Sequence, residues 1–483
     1  MHSSIDHPEL SVGPNPFFRA VSPFISQRDM ALKLRNSPLK NVLWKEIRPH
    51  IREPLLNLYT SHFIPTARLL EPALAIQNLV RRSLSLQNPE KTDEKKRVNQ
   101  IAMAESYTTV INFKPLEGGG MLLSGMTGMG KSALLRRTLE VIAPSQIVDY
   151  KNSETLGFYS LRQCVYLIVD HPSNGSRRGL LLSILQGLDE QLGTDYHKEH
   201  LKTANLDSLL CITSKLLVRH RVALLCIDEK QDSTFEESPW RREFSQFYLR
   251  LMNLGISVVL CGNPLAFEHI YSYSQLIRRF SMGGIFELQP AQLGCDAWWM
   301  RDFISEARKF SIVENWQIDD AYRRKMEDEC SGGVPSFYMS LHVEVQRIAL
   351  RRSSGPEATV TESDYVSAQS SARVKYIKSV SQASKLENTT ARSNFLDIPS
   401  LRTRVKDKFG ESNSISHDLL PPQQGIIAAE KLVKQYKTKQ TKNANRMLEE
   451  LKSLKNMSPE DVRLLGVKTD LLLELEKQME AKE

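Results

Sequence analysis

Residues 125–132 combine three glycines with a lysine and a serine, which is a set of groups that can bind phosphates. In order they are Gly125, Met126, Thr127, Gly128, Met129, Gly130, Lys131 and Ser132, and they match the pattern GxxxxGK[ST]. The glycines let main-chain N–H groups turn inward around phosphates, and the start of a following helix adds partial positive charge. We expect all eight residues to contact ATP, with Lys131 at the β- and γ-phosphates and Ser132 as a Mg²⁺ ligand.

A pair of acids follows an apolar run further along the chain. Residues 224–227 are Leu-Leu-Cys-Ile, and Asp228 and Glu229 come next. A nucleotide hydrolase needs such a strand beside the phosphate-binding strand, so that one carboxylate holds Mg²⁺, partly through water. The sequence therefore predicts Asp228 as a metal and nucleotide contact, and Glu229 as the general base that activates water.

Two further features have both a chemical and a plain structural interpretation. Asn263 follows the apolar run 258–261 and could orient water near the γ-phosphate, or it could be an ordinary turn residue before Pro264. Arg278 and Arg279 precede an apolar stretch and could form a solvated helix end. They could instead be arginine fingers, which reach the nucleotide of a neighbouring subunit and assist its hydrolysis.

The elements that must position these residues are short apolar runs alternating with helix-like segments. Runs of this kind occupy residues 121–124, 164–169, 222–227, 256–261 and 284–288. Short, nearly continuous apolar strands separated by helices are typical of a parallel sheet covered on both faces. The predicted fold is thus an α/β P-loop NTPase core with a parallel five-stranded sheet.

Composition shifts along the chain predict five sections. The order is a helical N-terminal section with partner or DNA contacts, the α/β core, a small α-helical lid, a flexible linker and a basic helical C-terminal tail for partner binding. Their predicted bounds are 1–105, 106–290, 291–380, 381–425 and 426–483. Within the first section, the mixed charges of residues 88–99 favour a solvated linker.

Composition narrows the class of protein. The chain has 483 residues, of which 41% are hydrophobic and 25% charged, and its formal net charge is +8. These values are ordinary for a globular protein and exclude collagen-like or wholly disordered chains. The six cysteines form no CxxC pair, which argues against a zinc site and a disulfide framework. With no signal-peptide pattern and no apolar run of membrane-spanning length, we expect a soluble cytosolic protein without membrane contacts.

The order of a P-loop, an Asp-Glu strand, a polar strand end, an arginine pair and a helical lid resembles an AAA+ ATPase. Several residues narrow the resemblance to TnsC, the AAA+ regulator of transposons with TnsA/TnsB-type transposases, and to its shorter relative TniB. They are Asn15-Pro16-Phe17, the stretch from Tyr166 to Asp170, the residues from Ser173 to Ser176, and the residues from Asp228 to Gln231. This resemblance covers about residues 10–375.

The resemblance implies an ATP- and Mg²⁺-dependent protein of the bacterial cytosol that assembles with itself on double-stranded DNA. Its assembly would be a ring, such as a heptamer, or a helical filament. It would connect a TnsD/TniQ-like target selector to TnsA/TnsB-like transposase subunits. The same resemblance assigns DNA contacts to Arg177 and Arg178, which could otherwise be a solvent-exposed pair.

Two departures from the AAA+ pattern leave alternatives open. The Gly-rich turn at residues 331–337 contains no arginine where many AAA+ lids carry one, and Lys230 replaces an expected apolar residue. An origin-recognition or helicase-loading ATPase is one alternative, although it requires a winged-helix domain after the lid. A nucleotide-switch scaffold that does not bind DNA is the other.

Overall fold

The structure is a computed structural model. It describes residues 15–105, 115–153, 158–172, 176–203, 205–230, 241–267, 270 and 274–384. The predicted tail at 426–483 lies outside these residues, and so does the predicted linker at 381–425 except for residues 381–384.

Nine strands and fourteen α-helices are named for the described residues. The strands are β1 (Gly120–Gly125), β2 (Ile147–Ser153), β3 (Phe158–Cys164), β4 (Tyr166–Asp170), β5 (Leu224–Lys230), β6 (Ser257–Gly262), β7 (Ile285–Leu288), β8 (Asn315–Gln317) and β9 (Thr359–Thr361). The helices up to the end of the core are α1 (Gln27–Leu34), α2 (Ala67–Leu86), α3 (Thr92–Met103), α4 (Lys131–Ile142), α5 (Arg177–Leu192), α6 (Tyr196–His200), α7 (Leu206–Arg219), α8 (Arg241–Asn253) and α9 (Ser274–Phe280). The later helices are α10 (Ser305–Ala307), α11 (Asp320–Ser331), α12 (Pro335–Arg352), α13 (Glu362–Ser370) and α14 (Lys375–Ser384).

Five of the strands form one parallel sheet in the order β4-β5-β6-β1-β7. Contrary to the expectation from the sequence, the strand that carries Asp228 and Glu229 is not beside the phosphate-binding strand, because β6 pairs with both and lies between them. Both faces are covered, and all residues of β1 and β6 are buried. The predicted α/β class and the five-stranded parallel sheet are therefore confirmed. In this sheet β1 lies between β6 and β7, which come much later in the sequence. The carboxyl end of β1 therefore opens into a crevice of the kind where ligands bind in such sheets.

Alternate residues of the strands pack into two separate apolar layers. Leu122 and Leu260 join the layer formed with α5, α7, α8 and α9. Leu123 and Cys261 point the opposite way, into the layer formed with α1, α2 and α4. This alternation follows from the two-residue period of a strand, and it explains why these runs are apolar throughout.

An antiparallel hairpin of β2 and β3 stands between the first helix of the core and β4. The apolar run at 164–169, predicted as one strand, contains the end of the hairpin at Cys164 and most of β4. Only Val165 separates the two strands, and because it is also apolar the sequence shows no boundary between them. Periodicity alone therefore joins two strands into one.

The charged run at 88–99 is not the solvated linker that its composition predicts. Most of it belongs to helix α3, where Glu94 and Arg97 are buried. The Glu94 carboxylate accepts hydrogen bonds from Arg97 Nε at 2.6 Å and from Arg221 Nη1 at 2.8 Å. The opposite charges of these side chains compensate each other in the protein interior. Helix α3 therefore buries one of its charged faces and exposes the other.

The N-terminal section contacts both the sheet domain and the helices that follow it. Its first part packs beside α2, where Ile25 N–H donates to Gln77 Oε1 at 2.9 Å. Its short 3₁₀ segments at 44–61 pack instead on α12 and its neighbours. There the fully buried Arg52 pairs with Glu314 at 2.6 Å, and Glu53 pairs with Arg351 at 2.6 Å. One stretch of chain thus spans two packing units.

The residues after β7 form a mainly helical unit around one apolar cluster, which is called the lid after the segment predicted at 291–380. It begins with a π-helical segment, Trp299–Ile304, that continues into α10. Helices α11 to α14 follow, and β8 pairs with β9 in a short two-stranded ribbon. Contrary to the prediction from the sequence, the lid is therefore not purely α-helical. The prediction misses β8 and β9 because three-residue strands give no periodic signal.

A buried carboxylate organises the lid interior. Glu327 is 1% exposed and accepts hydrogen bonds from Arg323 Nε at 2.9 Å and Arg308 Nη2 at 2.8 Å. The hydroxyls of Tyr338 and Tyr365 donate to the same carboxylate at 3.1 and 3.2 Å. Burial raises the pKa of Glu327, but the charges of Arg323 and Arg308 outweigh this effect and hold the pKa below its ordinary value.

No helix in the described part of the chain is long and apolar enough to cross a membrane. Within the same residues, no group of three or more His, Cys, Asp or Glu side chains could hold a metal ion.

His342 makes the stability of the lid depend on pH. Its ring stacks between Trp316 and Tyr338, its Nε2 donates to Phe310 O at 2.9 Å, and burial lowers its pKa to about 4. The unfolded chain takes up the proton at a higher pH than the folded one, so the stabilisation is complete above about pH 6.5. It is lost as the pH falls toward 4. We predict a loss of about 2 kcal/mol from this residue between pH 7 and pH 5, measured by denaturant unfolding.

The matched control is a comparison of His342→Gln with His50→Gln, an exposed histidine. The first variant should show a flatter pH dependence of unfolding free energy than the wild type, and the second should not. Identical pH profiles for all three proteins would contradict the assignment.

Candidate functional site

The loop between β1 and α4 forms the centre of the site. Gly125 ends β1, and α4 begins at Lys131 after a turn in which Gly128 and Gly130 have φ of 88° and 84°. Side chains disfavour this left-handed backbone, so the glycines are needed for the turn. Met126 and Met129 anchor the turn with buried side chains. The result is a main-chain concavity at a helix N-terminus, where phosphates bind.

Lys131 keeps its ammonium group against the loop. Its Nζ donates to Gly125 O at 2.7 Å and to Met126 O at 2.9 Å. The charge is thus held at the concavity that the sequence predicts for phosphates, by carbonyl groups of the same loop.

Ser132 and Asp228 come together although 96 positions separate them in sequence. The Ser132 hydroxyl donates to Asp228 Oδ1 at 3.0 Å, and Asp228 is 1% exposed. A hydroxyl beside a carboxylate, next to a phosphate-binding loop, is a donor set of hard oxygens that suits Mg²⁺. The residues present therefore fit the predicted metal site.

Two thiols flank the Asp228 carboxylate. Burial raises the pKa of both Cys226 and Cys261 well above the ordinary value, and the charge of Asp228 adds to the effect. Both thiols therefore stay neutral near pH 7.

Glu229 and Asn263 belong to the same carboxyl edge of the sheet. The register between β5 and β6 shifts between Ile227 and Lys230, which places a bulge at Asp228 and Glu229. Such bulges redirect side chains next to active sites. Asn263 follows β6 directly, and β6 pairs with β1 as far as Ser124 and Gly262. The sheet thus brings the backbone at Asn263 beside the start of the loop.

Arg278 and Arg279 lie at the opposite end of the sheet, where its strands begin. Helix α9 ends beside the start of β1, where Gly283 N–H donates to Gly120 O at 2.9 Å. A six-residue strand is roughly 17 Å long, so neither arginine lies near the loop of its own chain. Arg279 is 7% exposed and donates to Asn253 Oδ1 at 2.8 Å, whereas Arg278 is exposed. These contacts give Arg279 a structural role and leave Arg278 as the better candidate finger.

Arg177 and Arg178 begin helix α5, whose N-cap Ser176 accepts from Gly179 N–H at 3.1 Å. Arg178 donates to the carbonyls of Leu201 and Thr203 and so ties the helix start to a neighbouring loop. Arg177 is half-buried, and this burial lowers its pKa. Both arginines therefore lie partly exposed at the helix start, with Arg178 also bound to the loop at 201–203.

A cavity beside the loop involves residues that sequence analysis did not identify. Its walls come from the N-terminal section, the loop and the lid, and most are apolar or aromatic. They include Tyr59, His62, Phe63, Ile64, Arg68, Leu69, Met129, Leu288, Trp298, Phe303, Pro335 and Met339. Burial lowers the pKa of His62, so its ring is neutral at pH 7. No spacing in the sequence connects these distant segments.

The lid contacts the loop directly. Ser336, at the start of α12, donates its backbone N–H to Gly128 O at 3.2 Å. The contact comes from the Gly-rich turn at residues 331–337, which contains no arginine. The lid therefore reaches the loop through its backbone and a small side chain rather than through a cation.

A family model described as "Bacterial TniB protein" matches residues 108–289. The match covers the segment that contains the five-stranded sheet and the loop, and it confirms the family resemblance over this core. No curated protein matches the chain.

Solved structures of three replication proteins are similar to this chain at low identity and low TM-score. Orc1 from Aeropyrum pernix in complex with DNA has 15% identity and a TM-score of 0.35, with 79% of this chain and 82% of that chain covered. Cdc6p from Pyrobaculum aerophilum has 11% identity and a TM-score of 0.33, with 80% and 85% covered. Domain III of DnaA from Thermotoga maritima has 13% identity and a TM-score of 0.32, with 53% and 85% covered.

The contact between loop and lid predicts different effects for two glycine substitutions. Gly128→Ala and Gly130→Ala both place a side chain at positive φ, at a cost of about 1 kcal/mol each. A Cβ at 128 also overlaps the Ser336 hydroxyl, whereas a Cβ at 130 meets nothing within 4 Å. Gly128→Ala should therefore lower the unfolding free energy by about 1–3 kcal/mol more than Gly130→Ala, measured by denaturant titration.

Adding Ser336→Gly to Gly128→Ala should recover most of that extra loss. Equal losses for the two single variants would show that the lid does not press on the loop at this point.

Proposed function

We propose that this protein is an ATP-dependent, DNA-binding AAA+ regulator of transposition that assembles on duplex DNA. In this role it links a TnsD/TniQ-like target selector to TnsA/TnsB-like transposase subunits. The observation that carries the proposal is the Ser132–Asp228 contact beneath a complete phosphate-binding loop, in a core that matches the TniB family.

Three segments support the proposed binding of ATP. The loop from Gly125 to Gly130 receives the phosphates, and Lys131 exchanges its carbonyl partners for phosphate oxygens. Ser132 and Asp228 would hold Mg²⁺, which would neutralise charge on the phosphates. The adenine ring of ATP enters the cavity between the N-terminal section and the lid, because the apolar walls of this cavity suit a flat ring.

Hydrolysis needs groups from two subunits. Glu229 takes the proton of the attacking water, and Asn263 orients that water from the adjacent strand. Arg278 of a neighbouring subunit supplies positive charge at the γ-phosphate. Arg278 lies at the end of its own sheet that is far from the loop, which supports action on the nucleotide of a neighbouring subunit.

ATP binding, more than hydrolysis, drives assembly. A bound nucleotide contacts the loop, the N-terminal section and the lid, so it fixes the relative positions of the surfaces that meet a second subunit. The absence of an arginine at residues 331–337 supports slow turnover, because the lid then contributes no charge to the transition state. Hydrolysis resets or disassembles the assembly.

DNA contacts come from the start of helix α5. Arg177 and the helix N-terminus present positive charge, which suits phosphate contacts that do not distinguish sequences. Arg178 supports them by fixing the loop at 201–203. Binding of this kind weakens steeply as salt rises, because condensed cations are released from DNA.

Two substitutions separate nucleotide binding from hydrolysis. Lys131→Ala should abolish binding of a fluorescent ATP analogue and, with it, sedimentation of large assemblies on duplex DNA. Glu229→Gln should bind ATP normally and form assemblies that persist, with ATP turnover lowered by about 10²-fold or more. Normal turnover in Glu229→Gln would overturn the general-base assignment.

The proposed action of Arg278 on a neighbouring subunit predicts complementation between two inactive variants. Arg278→Ala should lower ATP turnover by about 10³-fold without changing nucleotide binding. Mixing it with Glu229→Gln should restore part of the activity, since one variant supplies the arginine and the other the base. Arg279→Ala is the control, and it should mainly lower stability, by about 1.5–3 kcal/mol. A mixture as inactive as its components would contradict action between subunits.

A further inference from the structure

Arg136 lies one helical turn after Ser132 on α4, between two carboxylates. Its Nη2 is 3.7 Å from Asp228 Oδ2 and 4.0 Å from Asp170 Oδ1. The family patterns that predict Lys131, Ser132 and Asp228 do not include this arginine. Its position nevertheless gives the carboxylate expected to hold Mg²⁺ a cationic partner from the chain itself.

The two carboxylates differ strongly in their surroundings. The Asp228 side chain is 2% exposed, and its other oxygen accepts the Ser132 hydroxyl. The Asp170 side chain is 64% exposed and ends β4 in direct register with Asp228 on β5. The guanidinium of Arg136, itself about half exposed, can thus be shared between a buried and a solvated acid on neighbouring strands.

The two partners have opposite consequences for a divalent cation. An Arg136 guanidinium close to Asp228 repels a cation at that carboxylate and competes with it for the same negative charge. An Arg136 guanidinium held by Asp170 leaves more of the Asp228 charge to the metal. Which arrangement prevails depends on the charge of Asp170, because the two acids lie within reach of the same flexible side chain.

We propose that Arg136 and Asp170 are a positioning pair that sets the Mg²⁺ affinity of the nucleotide site. Arg136 competes with Mg²⁺ for Asp228, and Asp170 draws Arg136 away when the metal binds. The inference rests on the proposed function only in assuming that Mg²⁺ and a nucleotide bind together at Ser132 and Asp228.

The test measures Mg²⁺ dependence of nucleotide binding without any hydrolysis. A fluorescent, non-hydrolysable ATP analogue is titrated with the full-length protein at increasing Mg²⁺, and again in EDTA. Arg136→Gln should lower the Mg²⁺ concentration at half-maximal effect by about three- to tenfold, with analogue affinity in EDTA unchanged. Asp170→Asn should raise that concentration by a similar factor.

The double variant decides whether Asp170 acts through Arg136. In the Arg136→Gln background, Asp170→Asn should shift the Mg²⁺ dependence by less than about twofold. The same shift in both backgrounds would make Asp170 a direct metal contact and overturn the proposal. No effect of Arg136→Gln on Mg²⁺ dependence, or an equal effect in EDTA, would overturn it as well.

Arg301→Gln is the matched control, because Arg301 is an exposed lid arginine paired with Asp302 at 2.6 Å. It removes one positive charge and should leave the Mg²⁺ dependence unchanged. If the wild type itself bound the analogue with no dependence on Mg²⁺, the proposed function would fail and this inference with it. If the wild type responded to Mg²⁺ and Arg136→Gln showed the same Mg²⁺ dependence as the wild type, only the inference about Arg136 would be overturned.

Discussion

The buried carboxylate of Asp228 is the interaction on which the arrangement of the core depends. A carboxylate removed from water is costly unless hydrogen bonds and positive charge surround it. Here the partners come from several elements: the Ser132 hydroxyl and the Arg136 guanidinium on α4, and the neutral thiol of Cys261 on β6. The backbone carbonyl of Asp228 also accepts from His171 N–H at 2.9 Å, just after β4. The carboxyl ends of β4, β5 and β6 and the N-terminal part of α4 thus meet at Asp228.

The N-terminal section extends this arrangement to the lid. Its first part packs on α2 and α4, where Arg137 Nε donates to Leu34 O at 2.9 Å. Its later part pairs Arg52 and Glu53 with lid residues. The cavity beside the loop lies where these contacts converge, so a molecule in it contacts the core, the lid and the connecting chain together. Binding energy at such a point can shift the balance between lid positions.

The sequence predicted the parts of this site that are local. The P-loop and its flanking strand and helix form one continuous segment, and the Asp-Glu pair ends an unbroken apolar run. Other parts depend on contacts between distant segments. The charge pattern around Glu94 does not reveal that Arg221 neutralises it, and adjacent arginines at 278 and 279 differ only in the packing around helix α9. The cavity residues and Arg136 likewise show their roles only once the chain is folded.

Electron microscopy of the purified protein with duplex DNA tests whether ATP binding drives its assembly on DNA. One sample contains a non-hydrolysable ATP analogue with Mg²⁺, and the matched sample contains no nucleotide. We predict rings or filaments around DNA only in the first sample, and their loss at high salt. Monodisperse particles that ignore DNA in both samples would contradict it.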